Sequence, residues 1–144
     1  MSVIGQIALR ARDENAVWAA AIRDAVDERE VFGPLAGRFA LGVETIYEAF
    51  LVHYGTPRVF NPATTEEALL LGDYLYAAGL CEVCREGDVQ AVALLAELIT
   101  HASASRARGV TDDGALWLSA SRRLGGGGAS GGEGALLLHA ELAA

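Results

Sequence analysis

Residues 64–78 of the chain read TTEEALLLGDYLYAA, and this stretch decides the fold class. Thr64 followed by Glu67 is the capping-box pattern that starts a helix. The apolar residues behind it recur at helical spacing, which predicts a helix as far as about Glu86. A glycine inside a helix costs about 1 kcal/mol relative to alanine. Gly72 therefore indicates a place where another helix approaches closely.

Helical patterns continue on both sides of this stretch and are separated by glycine, proline or capping residues. The further predicted helices run from Asp13 to Glu30, from Pro34 to Gly55, from Val89 to Gly109, from Thr111 or Asp112 to Leu124, and through the leucines that end at Leu142. Residues 125–134 are mostly glycine, which is typical of a flexible connector before the last short helix. Because no β-type alternation occurs, we expect one all-α domain, a helical bundle that spans residues 1–144.

The apolar content is high for a chain of 144 residues, with 52% hydrophobic residues and a mean hydropathy of +0.28. This is more apolar surface than a small single domain usually needs to build its core. One explanation is an exposed surface for a partner. The other is an alanine-rich helical core from a GC-biased genome, which the 11 arginines and the complete lack of lysine favour. Both explanations remain open.

The formal charge of −8 argues against several classes of partner. A field of this sign repels nucleic acid and anionic membrane surfaces. No apolar run reaches the roughly 18 residues that a transmembrane helix needs, and the first residues lack the apolar core of a signal peptide. We therefore expect a cytoplasmic protein without a membrane span and without a nucleic-acid partner.

The sequence predicts no metal site and no catalytic site. Cys81 and Cys84 lie one helical turn apart, but no second cysteine pair is present and the histidines are distant, so we expect two small core residues. Several acidic residues could hold a cation but are better explained as helix caps or solvated side chains. They are Asp24, Asp27, Glu28, Asp112 and Asp113. The glycine run lacks the Gly-Lys-Ser/Thr of a phosphate-binding loop.

Three segments resemble motifs of the trans-isoprenyl (polyprenyl) diphosphate synthases. Residues 66–77, EEALLLGDYLYA, resemble the family's AxLLGDYLLA helix. Residues 43–53, VETIYEAFLVH, resemble VExIHxASLxH, the helix that leads into the first Asp-rich motif. Residues 115–125, ALWLSASRRLG, resemble KTAALFxxACRLG. The matches occur in the family's order, and the resemblance implies a truncated form of the isoprenoid synthase fold.

The same resemblance implies that the chain has no catalytic site of its own. Catalytic members carry DDxxD after the histidine, and its carboxylates hold the Mg²⁺ ions that polarise the allylic diphosphate. Here His53 is followed by YGTPR, and the sequence contains no second Asp-rich motif. The Lys-Thr pair that contacts diphosphate aligns with Asp112 and Asp113, which would repel that anion. The resemblance thus implies no catalytic residue, metal or cofactor on this chain, with Mg²⁺ on a catalytic partner.

The family includes two-component enzymes in which a small subunit without Asp-rich motifs pairs with a full catalytic subunit. The resemblance implies that this chain is such a regulatory subunit, which helps to set activity and product chain length in isoprenoid biosynthesis. Family dimers pair largely through the two helices that include the Gly-Asp-Tyr-Leu segment. The interface residues implied in this way are Gly72, Leu75, Tyr76, Gly79, Val92, Leu95 and Ile99. Phe50 and Tyr54, beside the lost motif, are expected in a tunnel wall.

Two alternatives remain open. One is a free-standing homodimer that binds an isoprenoid or another apolar ligand in the cavity of the family's fold. The other is an unrelated helical bundle whose likeness to the family is accidental in a chain rich in alanine and leucine. For any single residue predicted at the interface or the tunnel, ordinary core packing is an equal explanation.

Overall fold

The chain folds into seven α-helices in a computed structural model that describes residues 1–128 and 130–144. The helices are α1 (Val3–Glu14), α2 (Ala16–Ala20), α3 (Ala40–Tyr54), α4 (Thr65–Cys84), α5 (Val89–Ala107), α6 (Gly114–Leu124) and α7 (Gly132–Leu142). Two 3₁₀ turns, Gly33–Leu35 and Gly37–Phe39, precede α3. The described residues form no strand, only an isolated bridge between Ile22 and Phe60. The predicted all-α helical bundle is confirmed.

Helix α3 lies at the centre of the bundle. Every residue in the range 42–52 is buried, so this helix has no solvent-facing side. It packs closely against α4, where a Cβ added to Gly79 would stand 2.5 Å from Cγ1 of Ile46. A Cβ added to Gly72 would overlap the ring of His53 on α3. The predicted close approach of another helix at Gly72 is therefore confirmed.

Buried side chains form two clusters that meet at α3. One cluster surrounds Trp117 and draws on α3, α5, α6 and α7. The other lies between α1, α3 and α4 and includes Leu71 and Leu75. Together the two clusters bury the inner sides of α4 and α5. The outer sides of these helices remain uncovered. None of the helices in the described parts of the chain has the length and apolarity needed to cross a membrane.

Predicted helix starts and ends are confirmed where the capping residue and the helix that it caps are neighbours in the sequence. Thr64 caps α4, since its hydroxyl accepts the backbone N–H of Glu67 at 3.1 Å. Gly55 follows the last residue of α3. Asp88 caps α5 and accepts the backbone N–H of Ala91 at 3.0 Å. These side chains satisfy N–H groups that a helix start leaves unpaired.

The helix predicted from Asp13 to Glu30 is wrong. Asn15 ends α1 and caps the short α2, since its side chain accepts a backbone N–H of that helix at 2.9 Å. Residues 21–32 are not α-helical. Their backbone binds the segment after α3 instead, as when the N–H of Arg23 donates to the carbonyl of Val59 at 2.8 Å. Pairing with a distant segment thus replaces the hydrogen bonds of the helix that periodicity predicts.

Helices α3 and α6 begin later than predicted. Pro34 lies in a 3₁₀ turn, and the α-helix starts at Ala40. The residue before α6 is Asp113 rather than Thr111 or Asp112. The carboxylate of Asp113 makes no capping hydrogen bond, because it binds side chains of other helices.

The predicted connector over residues 125–134 is partly helical. Helix α7 begins at Gly132, so the end of the glycine-rich stretch belongs to this helix. Gly126 and Gly127 have φ values of +86° and +82°, a backbone conformation that glycine adopts without strain. Ala129, within the predicted connector, lies outside the described residues.

Candidate functional site

The outer side of α4 and α5 is an apolar surface with little charge. A short link joins the two helices, which therefore run antiparallel. We define the α4–α5 face by the exposed residues of these helices from Leu69 onward. They are Leu69, Leu70, Asp73, Ala77, Cys81 and Cys84 on α4, and Val89, Gln90, Ala93, Ala96, Glu97, Thr100, His101 and Ala107 on α5. Each helix contributes a single carboxylate to this face.

Large apolar side chains lie at both ends of the α4–α5 face. Leu70 is 63% exposed at the start of α4, and Val89 is 81% exposed at the start of α5. Because the helices are antiparallel, these two side chains mark opposite ends of the surface. Exposed leucine and valine side chains on two neighbouring helices make this surface a candidate for binding another protein.

Three of the residues predicted at an interface lie at the seam between α4 and α5. Tyr76, Val92 and Ile99 are half-buried and border the α4–α5 face. Burial raises the pKa of the Tyr76 hydroxyl. Its oxygen has no hydrogen-bond partner among the residues that the structure describes. A partner chain bound to the α4–α5 face would contact these three residues at the edge of the face.

The other four residues predicted at an interface are buried within the chain. Gly72 and Gly79 allow the close packing of α4 on α3. Leu75 belongs to the cluster between α1, α3 and α4, and Leu95 belongs to the cluster around Trp117. Ordinary core packing, one of the alternatives above, accounts for these positions. An interface role for the seven residues stays a prediction.

Sequence analysis missed the small residues of the α4–α5 face. Ala77, Ala93 and Ala96 are all exposed on it. The signal for them is the stretch 89–96, VQAVALLA, which carries no charge on any side of the helix. Solvent-facing positions of a surface helix usually carry charged or polar residues, so their absence marks an unusual outer face.

The prediction that Cys81 and Cys84 are core residues is wrong, because both are exposed free cysteines. Cys81 also lines a groove of about 490 Å³ between α1 and α4. Arg10 and Arg85 line the same groove, together with Asp13, Glu14 and Tyr74. The two thiols are therefore open to reagents in solution, which a pair of core cysteines would not be.

A fully buried arginine, Arg58, lies in the YGTPR segment that follows His53. Nη1 of Arg58 donates to Oε1 of Glu44 at 2.5 Å, and Nε donates to Oε1 of Glu48 at 3.1 Å. Burial lowers the pKa of Arg58, but the two carboxylates outweigh burial and hold it above its ordinary value. Glu44 also accepts the backbone N–H groups of Val31 and Gly33. Arg58 thus fixes irregular segments against α3 and is not free to bind an anion.

A second buried network joins α3, α5, α6 and α7. The hydroxyl of Tyr47 lies 2.7 Å from Nδ1 of His139, and Nε2 of His139 lies 2.7 Å from Oδ1 of Asp113. Nε of Arg106 donates to Oδ2 of Asp113 at 2.8 Å. Burial alone would raise the pKa of Asp113, but hydrogen bonds from His139 and Arg106 hold it below its ordinary value. The prediction that Asp113 is a cap or a solvated carboxylate is wrong, because this network buries it.

The order of carboxylate, imidazole and hydroxyl in this network is that of a nucleophile-activating triad. The hydroxyl is nevertheless closed off from substrate. Tyr47 is fully buried, and its ring packs at centroid distances of 5.2 Å from Phe32 and 5.0 Å from Trp117. Burial also raises the pKa of Tyr47, which opposes formation of a phenolate nucleophile. The network holds the helices together and presents no reactive group to solvent.

The two residues predicted in a tunnel wall lie in an aromatic cluster inside the bundle. Phe50 is fully buried, with ring centroids 5.0 Å from Tyr54 and 5.2 Å from Trp117. The guanidinium of Arg106 lies over the Phe50 ring at 5.1 Å. Tyr54 is half-buried at the edge of this cluster. These rings pack against one another inside the bundle, and a tunnel role stays a prediction.

An open groove of about 640 Å³ runs along the outer side of α6. Its lining residues are Ala115, Leu118, Ser119, Arg122, Arg123, Gly126 and Gly127. The groove is open to solvent rather than enclosed, so it does not resemble the deep apolar cavity that a free-standing lipid-binding protein needs. Sequence analysis did not single it out.

Two further observations bear on the class of protein. Within residues 1–128 and 130–144, no group of three or more His, Cys, Asp or Glu side chains is arranged to hold a metal ion. No protein-family model, curated protein or solved structure that was compared with the chain matches it.

Proposed function

We propose that the chain is a non-catalytic small subunit that pairs with a catalytic polyprenyl diphosphate synthase subunit and helps to set its activity and product chain length. The observation that carries this proposal is the α4–α5 face. From Leu69 onward, two neighbouring surface helices expose leucine, valine and alanine with one carboxylate each, and Glu66 lies exposed at the start of α4. Depletion of charge at the centre of a patch distinguishes protein interfaces from the remaining surface.

The position of this face agrees with the pairing that the resemblance implies. Helix α4 contains the Gly72-Asp73-Tyr74-Leu75 segment, and family dimers pair largely through the helix with that segment and its neighbour. In this chain the neighbour is α5. The inner sides of both helices are used in the chain's own core, so a partner would contact the outer sides. The apolar residues that the partner would bury are the exposed leucine, valine and alanine residues of the α4–α5 face, and not Cys81 and Cys84 at the end of α4.

The buried polar groups support a role without catalysis. Arg58, in the YGTPR segment that the resemblance aligns with DDxxD, is bound to Glu44 and Glu48 inside the bundle. Asp113 is bound to Arg106 and His139. Neither group is left to stabilise a departing diphosphate, which is where electrostatic catalysis acts. Mg²⁺ and the reacting diphosphates are therefore expected on the catalytic partner.

In this proposal the small subunit changes the activity of the catalytic subunit by binding to it. A partner that binds only the folded, assembled form of the catalytic subunit stabilises that form by mass action. Contact along α4 and α5 also fixes the helices of the catalytic subunit that border its product tunnel. A change in the position of those helices changes the length of product that the tunnel accepts.

Co-expression with the full-length prenyl synthase of the same genome tests the proposal. The two chains should purify together and give activity, or a changed product length, that neither gives alone with isopentenyl diphosphate, an allylic primer and Mg²⁺. Absence of both a complex and a change in product would refute it. A stable homodimer that retains an isoprenoid would favour the free-standing binding protein instead.

A further inference from the structure

We propose that Cys81 and Cys84 are a redox site that forms a reversible intrachain disulfide with small disulfide compounds such as oxidised glutathione. Both thiols are free and exposed. They lie three residues apart at the end of α4, where helix geometry puts their Cα atoms about 5 Å apart. Disulfides usually join Cα atoms about 4.4–6.8 Å apart. The two thiols can therefore meet without movement of another helix.

Disulfide formation requires a local change at the end of α4. Cβ atoms one turn apart on a regular helix are separated by about 5–6 Å, whereas a disulfide brings them to about 3.5–4.5 Å. Cys84 is the last residue of the helix, so the final turn can rearrange without breaking the helix interior. Gly87 follows with a φ of +77° and lets the link to α5 adjust.

The required rearrangement makes the bond reversible rather than permanent. A disulfide under strain has a higher reduction potential and is reduced more readily than a relaxed structural disulfide. The pair therefore suits a switch that follows the thiol–disulfide balance of its surroundings. A permanent structural disulfide would instead form without any rearrangement of the reduced helix.

We expect Cys81 to react first, because only Cys81 of the two lines a groove that can hold part of a disulfide compound. Cys81 lines the groove between α1 and α4, which Arg10 and Arg85 also line. Arg10 and Arg85 both pair with Glu82, and Asp13 and Glu14 lie in the same groove, so the groove offers the carboxylates of glutathione no net electrostatic attraction. Cys84 lies one turn away on the same side of α4, in position to resolve the first product.

The reaction is a two-step thiol–disulfide exchange. The thiolate of Cys81 attacks one sulfur of oxidised glutathione, a mixed disulfide forms, and one glutathione leaves and takes up the proton released by Cys81. The thiolate of Cys84 then attacks Sγ of Cys81, and the second glutathione leaves with the proton released by Cys84. The two cysteines lose two electrons in total, and the glutathione disulfide is reduced to two molecules of glutathione.

Intact-mass spectrometry of the isolated full chain tests this site independently of any partner. After full reduction and exposure to oxidised glutathione, the wild-type chain should lose two hydrogen atoms, carry no glutathione adduct and take up no iodoacetamide. Dithiothreitol should restore both reactive thiols. Cys84→Ser should stop at a stable glutathione adduct on Cys81, and Cys81→Ser should form its adduct on Cys84 more slowly.

Three outcomes would overturn the proposal. They are a wild-type chain with two glutathione adducts, a wild-type chain with both thiols unreacted, and covalent dimers as the main product. Far-UV circular dichroism checks that the serine variants are folded. Because both cysteine side chains are exposed, the spectra of the variants should match that of the wild type.

Discussion

The hydroxyl of Tyr47 and Nδ1 of His139 lie 2.7 Å apart in the interior of the bundle, and this hydrogen bond ties the central helix α3 to the last helix α7. Tyr47→Phe removes the hydroxyl and leaves a buried imidazole nitrogen without its partner. An unsatisfied buried group of this kind costs about 1–3 kcal/mol. We expect the free energy of unfolding, measured by urea denaturation at neutral pH, to fall by that amount.

Tyr76→Phe is the matched control for that variant. Its hydroxyl is buried and makes no hydrogen bond of good geometry, with only a loose approach to Ser103, so the substitution removes a polar group that contributes little to the fold. We expect unchanged or slightly increased stability in the same urea experiment. Equal losses in Tyr47→Phe and Tyr76→Phe would show that the bond to His139 contributes nothing.

The carboxylate of Asp113 should make part of the stability depend on pH. Burial alone would raise its pKa, but His139 and Arg106 hold the pKa below the ordinary value of 3.8. A group with a lowered pKa in the folded state stabilises the fold above its unfolded pKa, and this contribution is lost as pH falls through the folded pKa. Asp113→Asn should therefore be less stable than the wild type at neutral pH, with a difference that shrinks in acid.

Urea midpoints of both proteins, measured from neutral pH down to about pH 2, give that difference directly. Other carboxylates with lowered pKa values, those of Asp27 and Glu82, titrate in both proteins. Their effect cancels when the two curves are subtracted. A difference that stays constant at every pH would contradict the assignment to Asp113.

The helices were predictable from the sequence where one segment contains the whole cause. Thr64 and Asp88 cap helices through the backbone of the residues that follow them, and such signals can be read locally. The segment 21–32 has helical spacing, yet its backbone pairs with Arg58, Val59 and Asn61. Local periodicity carries no information on a partner that lies more than thirty residues away.

The candidate site was only partly predictable because periodicity does not say which side of a helix is covered. Helix α4 is apolar around most of its circumference, so Leu75 and Cys81 look alike in the sequence. The structure buries Leu75 and exposes Cys81, since α3 covers one side of α4 and no helix covers the other. The side that remains open depends on the arrangement of the whole bundle.

Arg58 should be among the least replaceable side chains in the fold. Arg58→Met leaves Glu44 and Glu48 buried without their counter-charge, and removal of one member of a buried ion cluster costs about 3–5 kcal/mol. We expect this variant to be largely unfolded or to melt far below the wild type in a thermal denaturation followed by circular dichroism. Arg29→Ala, which removes exposed ion pairs to Asp27 and Glu141, should have a much smaller effect.

The contact of α4 with α3 predicts opposite effects of alanine at two helical glycines. A Cβ on Gly79 would stand 2.5 Å from Cγ1 of Ile46, and overpacking of this kind costs about 1–3 kcal/mol. A Cβ on Gly134 in α7 meets no atom within 4 Å, so alanine there should stabilise the helix by up to about 1 kcal/mol. Thermal melts of Gly79→Ala and Gly134→Ala would move in the same direction only if α4 did not pack closely on α3.

The α4–α5 face can be tested with a single charge placed on the outer side of α5. Ala93 is exposed there, and glutamate is a good helix former, so Ala93→Glu should leave the isolated chain folded. In a complex the new carboxylate would be buried against an apolar partner surface without a counter-charge, which we expect to weaken binding to the catalytic subunit by more than about tenfold.

Leu137→Glu is the control, since Leu137 is 75% exposed on α7 and lies outside the face. Titration calorimetry with the catalytic subunit should show lost affinity for Ala93→Glu and wild-type affinity for Leu137→Glu. The reverse pattern would place the interface on α7 and refute the α4–α5 face as the docking surface.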